Sequence, residues 1–218
     1  CPARWGFAMR SRTLAGLEGV AAAALFGTAS AQTETTVVRE PTYTTVSGGW
    51  MWPADGPVTD AYTSGFTLAG SFRTAVSPNF LTGFEVGYAW LPLDTSKLGA
   101  ENSGSTISGS DLGMLSITTE NDYIMGYPSS TMRPFINTGL GFFRSYGAND
   151  VVATTNGTSS KVDTGVYSGS FFGFHVGVGV LIKKERFGIR LDASYQYLCQ
   201  SGDDLGFFPL RAGVIFYP

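Results

Sequence analysis

"FFGFHVGVGVLI", residues 171–182, places Phe172, Phe174, Val176, Val178, Val180 and Ile182 on one parity. Gly173, His175, Gly177, Gly179 and Leu181 fall on the other. Successive side chains of an extended strand point to opposite faces, so a period of two marks a strand with two unlike sides. One side here is bulky and apolar. The other is small and carries the single histidine of the chain. His175 is then either a catalytic or metal-binding group, or one residue in a wall whose two sides meet different surroundings.

The same period recurs along the chain. "FLTGFEVGYAW" sets Phe80, Phe84, Val86, Tyr88 and Trp90 against Leu81, Gly83, Glu85, Gly87 and Ala89. "FGIRLDASYQY" sets Phe187, Ile189, Leu191, Tyr195 and Tyr197 against Gly188, Arg190, Asp192, Ser194 and Gln196. "FPLRAGVIFY" sets Phe208, Leu210, Val214 and Phe216 against Arg211, Gly213, Ile215 and Tyr217. "FTLAGSFR" and "FINTGLGFF" behave alike, and residues 43–52 and 112–126 complete a set of about eight strands. No amphipathic helix is expected after residue 32.

The connections alternate in length. Residues 75–79, 126–131 and 183–186 are short turns, whereas 53–63, 94–110, 147–169 and 199–206 are long and rich in Gly, Ser, Thr, Asn and Asp. Tight turns at one end and long solvated loops at the other predict an all-β fold: an up-and-down antiparallel transmembrane β-barrel over residues 43–218. The turns are then periplasmic and the loops external.

Side-chain size decides which face meets lipid. An eight-stranded barrel has an interior only wide enough for side chains to fill, and rows of Phe and Tyr would overfill it. Turning Arg190 or Arg211 outward instead would cost about 2–4 kcal/mol each near the bilayer midplane. The apolar face therefore meets lipid. Trp50, Trp52, Trp90, Tyr195, Tyr197, Phe207 and Phe208 lie at the loop ends of strands, and Phe216 and Tyr217 at the turn ends. They are expected to form two aromatic belts at the membrane interfaces. Arg73, Glu85, Glu120, Asp122, His175, Arg190, Asp192 and Arg211 are expected inside, as a paired charge layer that acts as a plug or a gate.

Composition agrees. Charged residues are 14% of the 218, well under the ~25% of soluble domains, and the 29 glycines are roughly twice the usual ~7% share. A net charge of -3 offers nothing to attract nucleic acid. One histidine and two cysteines, one of them at position 1, cannot complete a closed zinc site, so neither metal nor other cofactor is expected. Met9 opens a leader with Arg10 and Arg12, the apolar run "GVAAAALFG" and Ala29-Ser30-Ala31, which has the form of a cleavable Sec-type signal peptide cut after Ala31. Residues 1–8 are read as an upstream extension and residues 32–42 as a short periplasmic segment.

With these features in place, the chain resembles the small outer-membrane β-barrel proteins of Gram-negative bacteria, the OmpA-transmembrane-domain, OmpX and OmpW-like group. The resemblance rests on the architecture, on "RPFINTGLGFFRS" and "FGFHVGVGV", and on the ending "RAGVIFYP". Such proteins end in a strand read by the barrel-assembly machinery. Arg211, Gly213 and Phe216 match that pattern, while Pro218 stands where a final aromatic belongs. The resemblance implies a monomer in contact with outer-membrane lipid and lipopolysaccharide. It also implies a structural or surface-interaction role, with a narrow channel for small or hydrophobic solutes as the alternative. Barrel enzymes that modify lipid A pair a histidine with a serine and an acid. Here Gly177 follows His175 on the same face and no serine is marked as a nucleophile, so the chain is not expected to be an enzyme. Asn156-Gly157-Thr158 matches a glycosylation acceptor and is read as coincidence.

Overall fold

The computed structural model describes residues 42–101, 105–148, 150–184, 187–200 and 204–217. The leader, all of the 32–42 segment but Thr42, Asp203 and Pro218 lie outside the described residues. In chain order the strands are β1 (Tyr43–Asp55), β2 (Gly65–Ser77), β3 (Phe80–Leu91), β4 (Thr106–Ser108), β5 (Leu112–Ile124) and β6 (Met132–Tyr146). They continue with β7 (Val152–Thr155), β8 (Thr158–Lys161), β9 (Gly169–Lys183), β10 (Phe187–Cys199) and β11 (Leu205–Phe216). Two short helices, α1 (Val58–Ala61) and α2 (Thr95–Glu101), lie in the long connections.

Eight strands close a barrel in the order β1, β2, β3, β5, β6, β9, β10, β11, and β11 returns to β1. Each neighbour is antiparallel, and the closing pair runs from Thr44 opposite Phe216 to Asp55 opposite Gly206. Closure removes every free strand edge, which a wall surrounded by lipid requires because lipid cannot satisfy a bare N–H or C=O. This is the transmembrane up-and-down barrel that the period of two predicts. Its outer surface carries Phe66, Leu68, Phe84, Val86, Ile117, Leu140, Phe142, Val178 and Leu210, all exposed.

The glycines of the opening stretch are explained by what they face. On β9 the inward positions include Gly173, His175, Gly177, Gly179 and Leu181. A Cβ at Gly179 would collide with the ring of Phe135, and one at Gly173 would lie 2.9 Å from the ring of Phe143. At Gly177 it would strike Asn137 and sit 2.6 Å from Ser194 Cβ. Small residues on β9 thus make room for larger ones from β6 and β10, so the lumen is filled by complementary shapes. The stretch is wall.

Three expectations are corrected. First, the long connections are not wholly irregular. Strands β4, β7 and β8 form a separate three-stranded sheet, and α1 and α2 break the expectation of no helix. Val58, Ala61, Tyr62, Leu98, Ile107, Val151, Ala153 and Val166 bury one another at the long-loop end of the barrel, in one cluster with Met51, Leu112, Met114, Leu198 and Phe207 of the strands there. These residues come in pieces of one to three among Gly, Ser and Thr, too short for a period to stand out, and only tertiary contact pools their burial. Second, Phe207 is not in a belt: it is fully buried inside. Third, Tyr217 packs inward, edge-on to Tyr43 at 6.0 Å. Both share the parity of Arg211, and parity outranks position along the strand.

Candidate functional site

The middle of the lumen holds eight ionisable groups, all buried, projecting from β2, β3, β5, β9, β10 and β11. Six of them form a closed ring of alternating charge. Arg73 Nε lies 3.1 Å from Asp122 Oδ2, and Asp122 receives both terminal nitrogens of Arg190 at 2.6 and 3.2 Å. Arg190 Nε donates to Asp192 Oδ1 at 3.1 Å, and Arg211 Nε donates to Asp192 Oδ2 at 3.0 Å. Arg211 Nη1 then donates to Glu85, whose other oxygen lies 3.6 Å from Arg73 Nη2.

Glu120 hangs from this ring. Its Oε2 accepts from Arg73 Nη2 at 3.0 Å and its Oε1 accepts from the Thr118 hydroxyl at 3.1 Å. His175 Nε2 stands 3.2 Å from Glu120 Oε1. Arg73 also donates to the Ser71 hydroxyl, and the Arg190 guanidinium sits 4.0 Å from the centre of the Phe135 ring. Four carboxylates face three guanidiniums and one imidazole. Arginine suits such a ring because its planar fork serves two carboxylates at once and stays charged.

Apolar layers bound the ring at both ends. Toward the long loops lies the cluster of Met51, Leu112, Phe143 and Phe207 already described. Toward the short turns, Tyr43, Leu81, Ile124, Phe135, Leu181 and Ile215 form a second. The lumen is therefore apolar, charged, apolar along its axis. His175 has no hydroxyl bonded to either ring nitrogen, so the imidazole and nucleophile of a serine hydrolase are not assembled here. Among the described residues, no group of three or more His, Cys, Asp or Glu is placed to hold a metal ion.

The aromatic residues divide by face. Trp50, Trp52, Trp90, Phe208 and Phe216 project outward, and Tyr195 and Tyr197 are half-buried at the loop end of β10. Tyr197 donates its hydroxyl to Asp204. Asn137 and Gln196, on the inward parity of their strands, are buried as that parity predicts, and so is Arg133, which the sequence reading does not name. Parity was the available signal there too: Arg133 lies four residues before Asn137.

Comparison with known proteins supports the fold. No protein-family model matches the chain, and no curated protein does. Among solved structures, Neisserial surface protein A superposes with a TM-score of 0.53 at 16% identity, covering 81% of this chain and 97% of that one. A major outer membrane protein from Thermus thermophilus gives 0.47 at 12% identity, covering 81% and 99%. Ail, the attachment invasion locus protein of Yersinia pestis, gives 0.45 at 16%, covering 81% and 100%. At these identities the likeness is one of fold.

Proposed function

We propose that this chain is a non-conducting, non-enzymatic outer-membrane barrel whose role is exercised at the surface, through the folded crown on its long-loop side. In this reading the long loops face outward, the short turns face the periplasm, and the barrel works as a monomer among phospholipid and lipopolysaccharide. The assembly machinery inserts it. The observation that carries the proposal is the stacking of two apolar clusters on either side of a closed ion ring. A solute would have to part all three layers, and parting the ring alone would strand charges that are costly to leave unpaired. The crown adds a second support: a sheet with its own buried side chains presents a shaped surface, as mobile loops would not.

The test has two parts. Reconstituted in planar bilayers, the full chain is expected to show no unitary conductance. Discrete current steps that change when Glu85 is replaced by Gln would favour the solute channel instead. Val151→Asp places a charge in the crown's interior, where burying it unpaired is unfavourable. Limited proteolysis is expected to cut the crown of this variant while the barrel survives. Any adhesion or surface binding that the parent protein confers on cells should be lost with it.

A further inference from the structure

A cation inside the barrel lies outside the ring. Arg133, on β6, is buried at the short-turn mouth, where its Nη2 donates to Pro78 O at 2.9 Å and Asn79 Oδ1 at 3.0 Å. Its Nε is buried with no acceptor, and among the described residues no carboxylate comes within ion-pair reach of it. The three arginines of the ring each face at least two carboxylates. A buried guanidinium served only by neutral acceptors is an exception that calls for a partner, because desolvating a charge is unfavourable unless something of opposite sign replaces the water.

The surroundings say what that partner is. Arg133 lines a pocket of about 50 Å³ together with Lys183, Tyr43 and Tyr217, walled by Ile124, Leu181 and Ile215. This is several times the ~10–15 Å³ that a single water needs, and too small for a ring system or an acyl chain. Lys183 stands exposed at the rim and supplies a second positive charge. The Tyr43 hydroxyl is buried and has no hydrogen-bond partner. Both Arg133 and Tyr43 are 7% exposed. The lining thus offers two cations and two phenols, with no carboxylate among its side chains.

We propose that this pocket binds a phosphate group. Guanidinium and ammonium groups backed by a hydroxyl donor form the usual donor set for that oxyanion, with arginine providing the directed hydrogen bonds. The group comes either from free phosphate or from the headgroup of a phospholipid bordering the mouth. That the mouth opens to the periplasm rests on the orientation proposed above. Binding itself does not, so an inverted topology and a failure to bind are separate results.

The test follows the Arg133 Nε–H and the Tyr43 ring by NMR, in the full chain folded in maltoside micelles that contain no phosphate. Adding inorganic phosphate is expected to shift both signals saturably, whereas chloride at matched ionic strength does not. Tyr43→Phe should weaken binding roughly tenfold, as loss of a hydrogen bond to a charged group does. Lys183→Gln, at an exposed position that spares the fold, should weaken it severalfold. In phospholipid nanodiscs without added phosphate, signals already at the bound position identify the headgroup as the source. Signals that move only on adding phosphate identify the free ion. No saturable shift in either setting, or shifts indifferent to both substitutions, would overturn the proposal.

Discussion

Asp122, like Asp192 and Glu85, lies between two guanidiniums, here Arg73 from β2 and Arg190 from β10. Asp122→Asn keeps the shape and removes the charge, leaving two buried cations facing one another across an amide. Breaking a buried pair in this way is expected to lower the free energy of unfolding by about 3–5 kcal/mol. The urea midpoint in lipid vesicles, followed by tryptophan fluorescence, measures it. A loss of less than about 1 kcal/mol would mean that water already reaches the ring. The inward direction was legible from parity at Glu85, between Phe84 and Val86, and at Arg190, between Ile189 and Leu191, and was fainter at Asp122, which follows Asn121. Which carboxylate meets which arginine was not legible, because it depends on register between strands far apart in sequence. Phe207 and Tyr217 were misplaced for a simpler reason: height along a strand was allowed to override the face.

The long connections were the least legible part. Asn156 and Gly157 both have positive φ and link β7 to β8, so the pair that reads as a glycosylation acceptor is a hairpin turn. Asn-Gly is the strongest short-range sign of such a turn. Strands of four residues around it gave no period to go with that sign. Helix α2 has a local cause as well: the Asp94 carboxylate accepts from the amides of Ser96 at 3.2 Å and Lys97 at 3.1 Å, as an N-terminal cap does. The Ser96 hydroxyl, then the Lys97 amide, hold the Asp94 carboxyl below the usual carboxylate value. A lowered value means that the cap's contribution is complete above the unfolded value of about 4 and is lost as pH falls through the lowered one. The protection factor of the Leu98 amide should therefore be insensitive to this group from about pH 7 to 5 and should fall in more acid solution. Asp94→Ala should show the lower protection already at neutral pH, by about fivefold for a cap worth about 1 kcal/mol. Equal protection in parent and variant would remove Asp94 as the cause of α2.

The barrel is closed, with each strand paired on both sides around the circumference and apolar side chains facing outward. Detergent has little to gain from entering such a wall. The folded protein is expected to resist SDS at room temperature and to migrate away from the position of its 23.2 kDa chain, reaching that position only after boiling. Val151→Asp should keep this heat-dependent shift, because the crown lies beyond the wall, whereas Asp122→Asn should show it at a lower temperature. An unshifted parent band would put the Phe and Val faces inside.

The ion ring also bears on how such a chain reaches its final state. Its members run from Arg73 on the second strand to Arg211 on the last, and Arg211 links Asp192 to Glu85, the latter 126 residues before it in sequence. The same strand seals the wall by pairing with β1. Before it docks, the barrel has two open edges and a charge ring short of one cation, both unfavourable in hydrocarbon. Contacts so distant in sequence form slowly and give no reward until they form together. Closure and neutralisation thus become one event, so half-inserted forms are penalised and the finished barrel, once shut, reopens only by undoing both at once.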